Sequence, residues 1–419
     1  MFKFIRRFWN VLTRSFLYGD FAYLLSSPLF LFFCLLGLAG FLWLYLSFNQ
    51  LINTIPFGIR LFFDYSDLSV YFQSGRWAVG QGTLYKDVFS EYPFFANILF
   101  GIFRFIALFI HPFLYKLHNF WWLWISAAWF IYIWILYQVT TKISKQALWI
   151  WLAPAPLYFT LLRFDIYPAV MTLLALLAIR REKNYQGALC LGIAIALKGY
   201  ALFVLPSYFV YLYSRKGFLT SCKIIAICLA PLIFSNLVVF AYAGLEGLLQ
   251  PYAFHIDRRL NEESSYDAII YLSNFKFLRD FLDFPKISRY LQIAVALLAA
   301  WLQPKRFQDL IDAFLLAIVG FTSFSTFYSP QFVLWIAAVA CFSRSRWIIL
   351  FSIILSWLTY IYFPVLFDIR RGNETNEVCQ NLFKIIIILV TANRFALIYS
   401  SFQRLWKNRF KRYTVFSEN

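Results

Sequence analysis

The residues best suited to chemistry lie in one acidic stretch between positions 62 and 93. In a chain of 419 residues with only 20 acidic side chains, this stretch contains Asp64, Asp67, Asp87 and Glu91. A helix beginning at Ser66 would place Asp64, Asp67 and Tyr71 on one face. A carboxylate held at a membrane surface can accept a proton from a sugar hydroxyl, which is the role of a general base. Alternatively, Asp64 or Ser66 caps this helix and Asp67 lies favourably in its first turn.

Three further charged residues interrupt or flank apolar segments. Lys198 lies within LGIAIALKGYALFVLP, where an ammonium group is costly unless it faces a cavity or a partner. Arg163 and Asp165 are in a similar position in LLRFDIYP. A mutual ion pair at a helix end, or snorkelling to the membrane interface, would equally explain Arg163 and Asp165.

Two other segments carry groups that suit an anionic ligand. Residues 251–271 bring together His255, Asp257, Arg258, Arg259, Glu262 and Glu263. Basic side chains beside a histidine suit a phosphate, although a solvated, salt-bridged loop explains the same charges. The segment FSTFYSPQFVLW places Tyr328, Ser329 and Gln331 at a helix start, whose free N–H groups could receive a phosphate. An ordinary Ser-Pro helix start is an equally simple reading.

The composition determines the class of protein that must position these residues. With 62% hydrophobic, 22% aromatic and 14% charged residues, the chain is not a soluble domain. Recurrent long apolar runs predict an all-α, polytopic membrane bundle. The net charge of +18 comes mainly from basic residues in short loops, which indicate topology and can also attract anionic lipids. No nucleic-acid-binding pattern, disulfide framework, metal site or redox motif is evident.

The basic loops predict a topology with both termini in the cytoplasm. Residues 1–28 form a basic cytoplasmic N-terminus, and residues 401–419 form a basic cytoplasmic tail. The twelve spans that keep every basic loop inside are Leu29–Phe48, Trp121–Thr140, Ala147–Leu162, Ile166–Ile179, Gln186–Leu197, Ala201–Tyr213, Phe218–Phe240, Ser288–Leu302, Leu310–Phe324, Gln331–Phe342, Trp347–Phe363 and Leu382–Tyr399. We treat residues 1–419 as one membrane domain, because no internal repeat is visible.

This topology also predicts where the site lies. The apolar run Phe94–Leu114 must begin and end on the outer side, so it is re-entrant or interfacial. The first outer loop, residues 49–93, would be catalytic, and residues 241–286 would form a second outer loop. The two short spans on either side of Lys198 are expected to run on through it, since a bilayer helix needs about 20 residues. Interrupted membrane helices occur where they line protein or a water-filled cavity, which indicates a site.

Four segments, in order, resemble the polyprenyl-phosphate-mannose-dependent α-mannosyltransferases of the GT-C superfamily, relatives of the first mannosyltransferase of GPI-anchor synthesis. They are DLSVYF with GQGTLY and EYPFF (residues 67–95), the central segment from RFDIYP to the single Lys198, FHIDRRLNEES (254–264) and FYSPQFVLW (327–335). The resemblance covers about residues 64–335. The chain departs from the family where Gly199-Tyr200-Ala201 replaces the usual Tyr-Pro, and where Phe254 stands in place of a Tyr.

The resemblance implies a fold, a reaction and a set of site residues. The implied reaction transfers a hexose, usually mannose, from polyprenyl phosphate to a lipid-linked or glycan acceptor of the cell envelope. It takes place with inversion, on the outer face of the plasma (inner) membrane, and needs neither a nucleotide sugar nor a metal or other cofactor. Asp67 becomes the catalytic base and Asp64 a second carboxylate that binds the acceptor or raises its neighbour's pKa. The donor phosphate would contact Lys198, His255, Arg258 and Arg163. The substrates would contact Tyr71, Glu91, Tyr92, Glu263, Tyr328 and Gln331.

Two other functions fit the same composition. A lipid or solute transporter would also turn polar residues toward a cavity, but commonly shows repeated halves, which are not visible here. A non-catalytic membrane subunit would tolerate replacement of Asp67 and Lys198. Asn373-Glu374-Thr375 forms a glycosylation sequon on the predicted outer side, a pattern short enough to occur by chance.

Overall fold

The structure is a computed structural model that describes residues 64, 66–110, 116–256, 258, 260–273, 282–372 and 376–416. Several predictions fall outside these residues: the cytoplasmic N-terminus (1–28), the first span (Leu29–Phe48), the start of the first outer loop (49–63) and the sequon at Asn373. Asp257 and Arg259 of the second outer loop also lie outside them.

Within the described ranges the chain is helical, and the only bridge-type pairing joins Leu84 to Val88. The helices of the first half are α1 (Ser66–Ser74), α2 (Phe94–Ile110), α3 (Lys116–Gln138), α4 (Leu148–Leu152), α5 (Pro154–Leu162), α6 (Ile166–Arg180), α7 (Asn184–Leu197) and α8 (Leu205–Lys216). Those of the second half are α9 (Phe218–Ile256), α10 (Ser265–Ser273), α11 (Phe284–Trp301), α12 (Phe307–Ser323), α13 (Val333–Ala340), α14 (Arg346–Tyr360), α15 (Phe367–Gly372) and α16 (Glu377–Phe416).

Several helices are long and apolar enough to cross a membrane. Four helical segments of the described chain meet that requirement, namely Asn119–Ile143, Phe218–His255, Arg346–Arg370 and Glu377–Phe410. A bent pair, α5 and α6, makes a fifth if the two helices count as one span with a 114° bend. The predicted all-α membrane architecture is therefore confirmed in outline. The count of twelve spans, which includes several shorter helices, stays a prediction.

The helix does not continue through Lys198 as the sequence predicted. Helix α7 ends at Leu197, Lys198 is extended (φ −159°, ψ 122°), and the 3-10 helix Gly199–Val204 leads into α8. The extended residue lets the Lys198 ammonium reach the Asp165 carboxylate. The helix is therefore broken at Lys198, whose side chain forms an ion pair inside an apolar bundle.

The second outer loop is also more ordered than predicted. Residues 241–256 continue α9 beyond the break at Gly244, whose φ of 69° is left-handed, and are helical rather than a loop. Glycine adopts this conformation without the steric cost that other residues meet. The second half of α9 thereby carries His255 to the rim of the site described below.

Close helix packing fixes the elements that hold the site. A Cβ atom on Gly192 of α7 would lie 2.2 Å from the Cys228 carbonyl oxygen of α9, so only glycine permits this approach. Arg104 of α2 anchors the end of α1, since it donates to the Phe72 carbonyl at 2.5 Å and to Gln81 Oε1 at 2.7 Å. Helix α1 therefore has a fixed position relative to α2.

Candidate active site

The start of α1 shows the capping geometry predicted for the acidic stretch, while the role of a general base stays a prediction. The helix begins at Ser66 as predicted, and the Ser66 N–H donates to Asp64 Oδ1 at 3.0 Å. The Asp64 N–H in turn donates to the Tyr158 hydroxyl at 3.1 Å. Asp64 thus stabilises the first turn, while Asp67 lies one turn further along on the same side. The capping role of Asp64 leaves the Asp67 carboxylate available for other contacts.

Arg163 joins the two carboxylates. Its guanidinium lies 2.7 Å from Asp64 Oδ2 and 3.2 Å from Asp67 Oδ2. The Arg163 side chain is only 4% exposed, whereas the Asp67 side chain keeps 29% of its accessible surface. A mutual ion pair between Arg163 and Asp165, one of the alternatives read from the sequence, is not formed. The structure brings Asp64, Asp67 and Arg163 together, as charge complementarity requires of a buried cation.

Asp165 pairs instead with Lys198. The Lys198 ammonium donates to both carboxylate oxygens, at 2.8 and 3.0 Å. The Asp165 side chain is 1% exposed and that of Lys198 is 19% exposed, so the ammonium lies at the accessible edge of the pair. Lys198 also lies 5.3 Å from the centre of the Trp335 ring, within range of a cation–π contact. The single lysine of this apolar segment is therefore paired with a buried carboxylate.

The cluster carries more acid than base. Three carboxylates face two cations, which leaves one negative charge in excess. Burial raises the pKa of Asp67 above its ordinary value; Arg163 opposes this rise and the Asp64 carboxylate adds to it. Burial also pushes the pKa of Asp64 upward, but Arg163 and the Ser66 hydrogen bonds outweigh it, so this pKa lies below its ordinary value. Asp67 is therefore the more basic carboxylate of the pair.

Tyr71 supports Asp67 from one turn further along α1. Its hydroxyl donates to Asp67 Oδ2 at 3.4 Å, a long hydrogen bond, and accepts from the Phe164 N–H at 3.1 Å. The ring is fully buried, stacks on Phe100 with centroids 4.7 Å apart and meets Tyr92 edge-on at 5.6 Å. The predicted contact between Tyr71 and Asp67 is confirmed, and the aromatic packing fixes its orientation.

Glu91, His255 and Arg258 extend the cluster toward the exposed rim. His255 Nε2 lies 3.2 Å from the Glu91 carbonyl oxygen. Burial raises the pKa of the Glu91 carboxyl, with Arg258 and Lys198 close enough to oppose the rise and Asp67 close enough to add to it. His255 in turn lies within electrostatic range of Lys198 and Arg258. Lys198, His255 and Arg258, the three residues predicted to converge, thus lie within electrostatic range of one another, although their role toward a phosphate stays a prediction.

The remaining residues predicted to contact substrate are Glu263, which lies within electrostatic range of Arg258, and Tyr328 and Gln331. The Arg258 guanidinium stacks on Phe327, 3.8 Å from the ring centre. Glu263 is hydrogen-bonded by Asn261, and burial together with neighbouring Glu262 raises its pKa to about 7. Tyr328 is buried and Gln331 is half-buried in the 3-10 helix Pro330–Phe332. Tyr328 therefore packs inside the bundle rather than lining an open surface.

Two arginines that shape the site were missed by the sequence analysis. Arg394 is fully buried, lies 4.0 Å from the centre of the Tyr328 ring and donates to the Thr322 carbonyl at 3.0 Å. Arg104 anchors α1 as described above. Each is an isolated cation in an apolar run, the same signal that drew attention to Lys198 and Arg163, but neither was singled out from the sequence.

Within the described ranges, no group of three or more His, Cys, Asp or Glu side chains is placed to hold a metal ion. No protein-family model matches the chain, and no curated protein matches its sequence. The function is therefore inferred from the geometry of the carboxylate and cation cluster.

Proposed function

We propose that this chain is a membrane glycosyltransferase of the GT-C type. It moves a hexose, with mannose the first candidate, from polyprenyl phosphate to a lipid-linked or glycan acceptor. The reaction takes place on the outer face of the plasma (inner) membrane, with twelve spans, both termini cytoplasmic and Phe94–Leu114 re-entrant. Membrane-capable helices support this placement, and the basic loops support its orientation.

The observation that carries the proposal is the environment of the Asp67 side chain. This side chain keeps 29% of its accessible surface, its pKa is raised, and Arg163 and Tyr71 both contact its Oδ2 atom. A general base needs a fixed position and a pKa closer to neutrality than that of a free carboxylate. Asp67 meets these requirements, whereas Asp64 is committed to the first turn of α1.

The reaction has a simple electron balance. The acceptor hydroxyl oxygen attacks the anomeric carbon and forms the new C–O bond. The bond from that carbon to the phosphate oxygen breaks, and its electron pair leaves on polyprenyl phosphate. Asp67 takes the hydroxyl proton, a contribution of typically about 10²–10⁴-fold. Attack opposite the departing phosphate inverts the anomeric configuration.

The hydrogen-bond donors at the rim suit the departing phosphate. Lys198 keeps an accessible edge while Asp165 holds it, and His255 and Arg258 approach from α9 and the segment that follows it. Charge-assisted hydrogen bonds from several donors can offset the burial of a phosphate better than one cation can. Arg163, predicted as a fourth phosphate contact, is engaged by two carboxylates, and we assign it the positioning of Asp67.

Membranes containing the chain test the proposal directly. Radiolabelled polyprenyl-phosphate-mannose is supplied, and transfer of label to endogenous acceptor is compared between the parent, Asp67→Asn and Asp87→Asn. Asp87 is a matched control, because it lies in the same loop and its carboxylate accepts from the Thr83 N–H at 2.8 Å. We expect transfer by the parent and by the Asp87 variant, and little transfer by Asp67→Asn. Equal transfer by all three would overturn the proposal.

A further inference from the structure

A second group of basic side chains lies at the C-terminal end of α6. It includes Lys142, a half-buried residue whose ammonium group is buried. Lys142 belongs to the single π-helical turn Val139–Ile143 that follows α3. Its Nζ atom is buried and has no hydrogen-bond partner in the part of the chain that the structure describes. The centre of the Tyr137 ring lies 5.9 Å from this atom. A buried ammonium without a partner is unfavourable and points to a ligand that supplies the missing acceptor.

Arg180, the last residue of α6, and Arg181, which follows it, lie near Lys142. Arg180 donates to the Lys142 carbonyl oxygen at 2.9 Å, which ties the two segments together. Arg181 lies close enough to repel the Lys142 charge. The adjacent acid, Glu182, is engaged by Arg215 at 2.6 Å and by Lys216 at 3.9 Å. Among the described residues, no carboxylate forms an ion pair with Lys142, Arg180 or Arg181.

The position of this cluster separates it from the Asp67 site. Helix α6 begins directly after Asp165 and ends at Arg180, so its 15 residues span about 22 Å. The cluster is thus at the opposite end of α6 from the carboxylates, on the side that the basic loops predict to be cytoplasmic. The short helix α4 next to it exposes the apolar side chains of Trp149 and Leu152. Cationic groups beside exposed apolar side chains match the headgroup region of a bilayer.

We infer that Lys142, Arg180 and Arg181 bind the phosphodiester of an anionic phospholipid in the cytoplasmic leaflet. The phosphate oxygens accept from Lys142 Nζ and from the two guanidinium groups, while the acyl chains follow the apolar surface beside α4. Basic pockets between membrane helices commonly recognise anionic headgroups. The inference does not depend on glycosyl transfer, because its residues lie at the other end of α6.

Lipid binding to the full-length chain in detergent tests the inference. Native mass spectrometry gives the Kd for phosphatidylglycerol and for phosphatidylcholine, with inorganic phosphate as a third probe. The variants are Lys142→Met, Arg181→Gln and the control Arg344→Gln, which removes an exposed cation from another predicted cytoplasmic loop. We expect the parent to prefer phosphatidylglycerol. Lys142→Met should weaken its binding about tenfold and Arg181→Gln about fivefold, while Arg344→Gln leaves it unchanged.

The two variants allow the inference to be overturned even if one of them does not fold. Arg181 is exposed, so Arg181→Gln reports on the site even if Lys142→Met fails to fold. Equal phosphatidylglycerol affinity in the parent, Arg181→Gln and any folded Lys142→Met would overturn the inference. Binding of inorganic phosphate without a preference for phosphatidylglycerol would overturn the lipid assignment, since the site would then recognise free phosphate.

Discussion

The guanidinium of Arg163 lies 3.2 Å from the carboxylate of Asp67, and this contact limits how far the pKa of Asp67 rises. The same guanidinium pairs with Asp64, 99 positions away in sequence, at 2.7 Å. Arg163 thus fixes the start of α1 against the segment between α5 and α6. The first prediction tests whether this contact tunes the proposed base.

Replacement of Arg163 should change the pH dependence of transfer. Burial raises the pKa of Asp67 and Arg163 lowers it, so Arg163→Gln should raise this pKa further. A general base works only when deprotonated, and therefore the acid limb of the rate profile should move to higher pH. The control is Arg215→Gln, which breaks an exposed ion pair with Glu182. It should leave the acid limb of the rate profile at the same pH. An unchanged acid limb in a folded Arg163→Gln would show that Arg163 does not tune the base.

Variants of the Asp165–Lys198 pair should separate the effect of the ion pair on stability from the effect of Lys198 on donor binding. Lys198→Met leaves the buried Asp165 carboxylate unpaired and should cost about 3 kcal/mol of unfolding free energy. The double variant Asp165→Leu/Lys198→Met removes both charges and should recover most of that loss. Donor binding, measured by retention of labelled polyprenyl phosphate sugar, should stay weak in the double variant. Full recovery of donor affinity would exclude Lys198 as a phosphate contact.

The contact between α7 and α9 should not tolerate a methyl group. Gly192→Ala places a Cβ atom 2.2 Å from the Cys228 carbonyl oxygen, and backbone atoms cannot move aside easily. We expect a loss of about 1–3 kcal/mol of unfolding free energy, measured as a lower denaturation midpoint in detergent. Gly199→Ala is the matched control, since a Cβ there meets nothing within 4 Å. Equal midpoints for the two variants would contradict this packing.

Glu263 should make stability depend on pH. Burial and Glu262 raise its folded pKa to about 7, above the ordinary value of 4.5, so the folded chain holds the proton more tightly. Stability from this group is therefore present at low pH and is lost as pH rises from about 4.5 to about 7. Relative to the parent, Glu263→Gln should gain thermal stability across that window and no more above it. The exposed Glu246 provides the control Glu246→Gln, and a pH-independent difference for Glu263→Gln would refute the assignment.

The sequence predicted local features well and long-range pairings poorly. The helix at Ser66 and the contact of Tyr71 with Asp67 follow from spacing along one helix, which is a local property. The partner of Arg163 could not be chosen locally, because Asp165 is two residues away in sequence but the partners that fold against it are Asp64 and Asp67.

The helix boundaries near charged or kinked positions were the other source of error. An apolar run predicts a helix but does not show where an ion pair interrupts it, as at Lys198. The assignment of residues 241–286 to an outer loop likewise missed that α9 resumes beyond Gly244. Both departures place functional candidates, Lys198 and His255, at a rim that regular helices would not have formed.

The central claim is that Asp67 removes the acceptor proton, and single-turnover kinetics of purified Asp67→Asn test it most directly. With saturating polyprenyl-phosphate-mannose and acceptor, donor affinity should match the parent while the rate of transfer falls at least roughly a hundredfold. Asp64→Asn should retain more of the rate, because Asp64 mainly positions α1 and Arg163. Near-parental transfer by Asp67→Asn with an inactive Asp64→Asn would reverse the assignment within the pair. Near-parental transfer by both variants would contradict the glycosyltransferase mechanism itself.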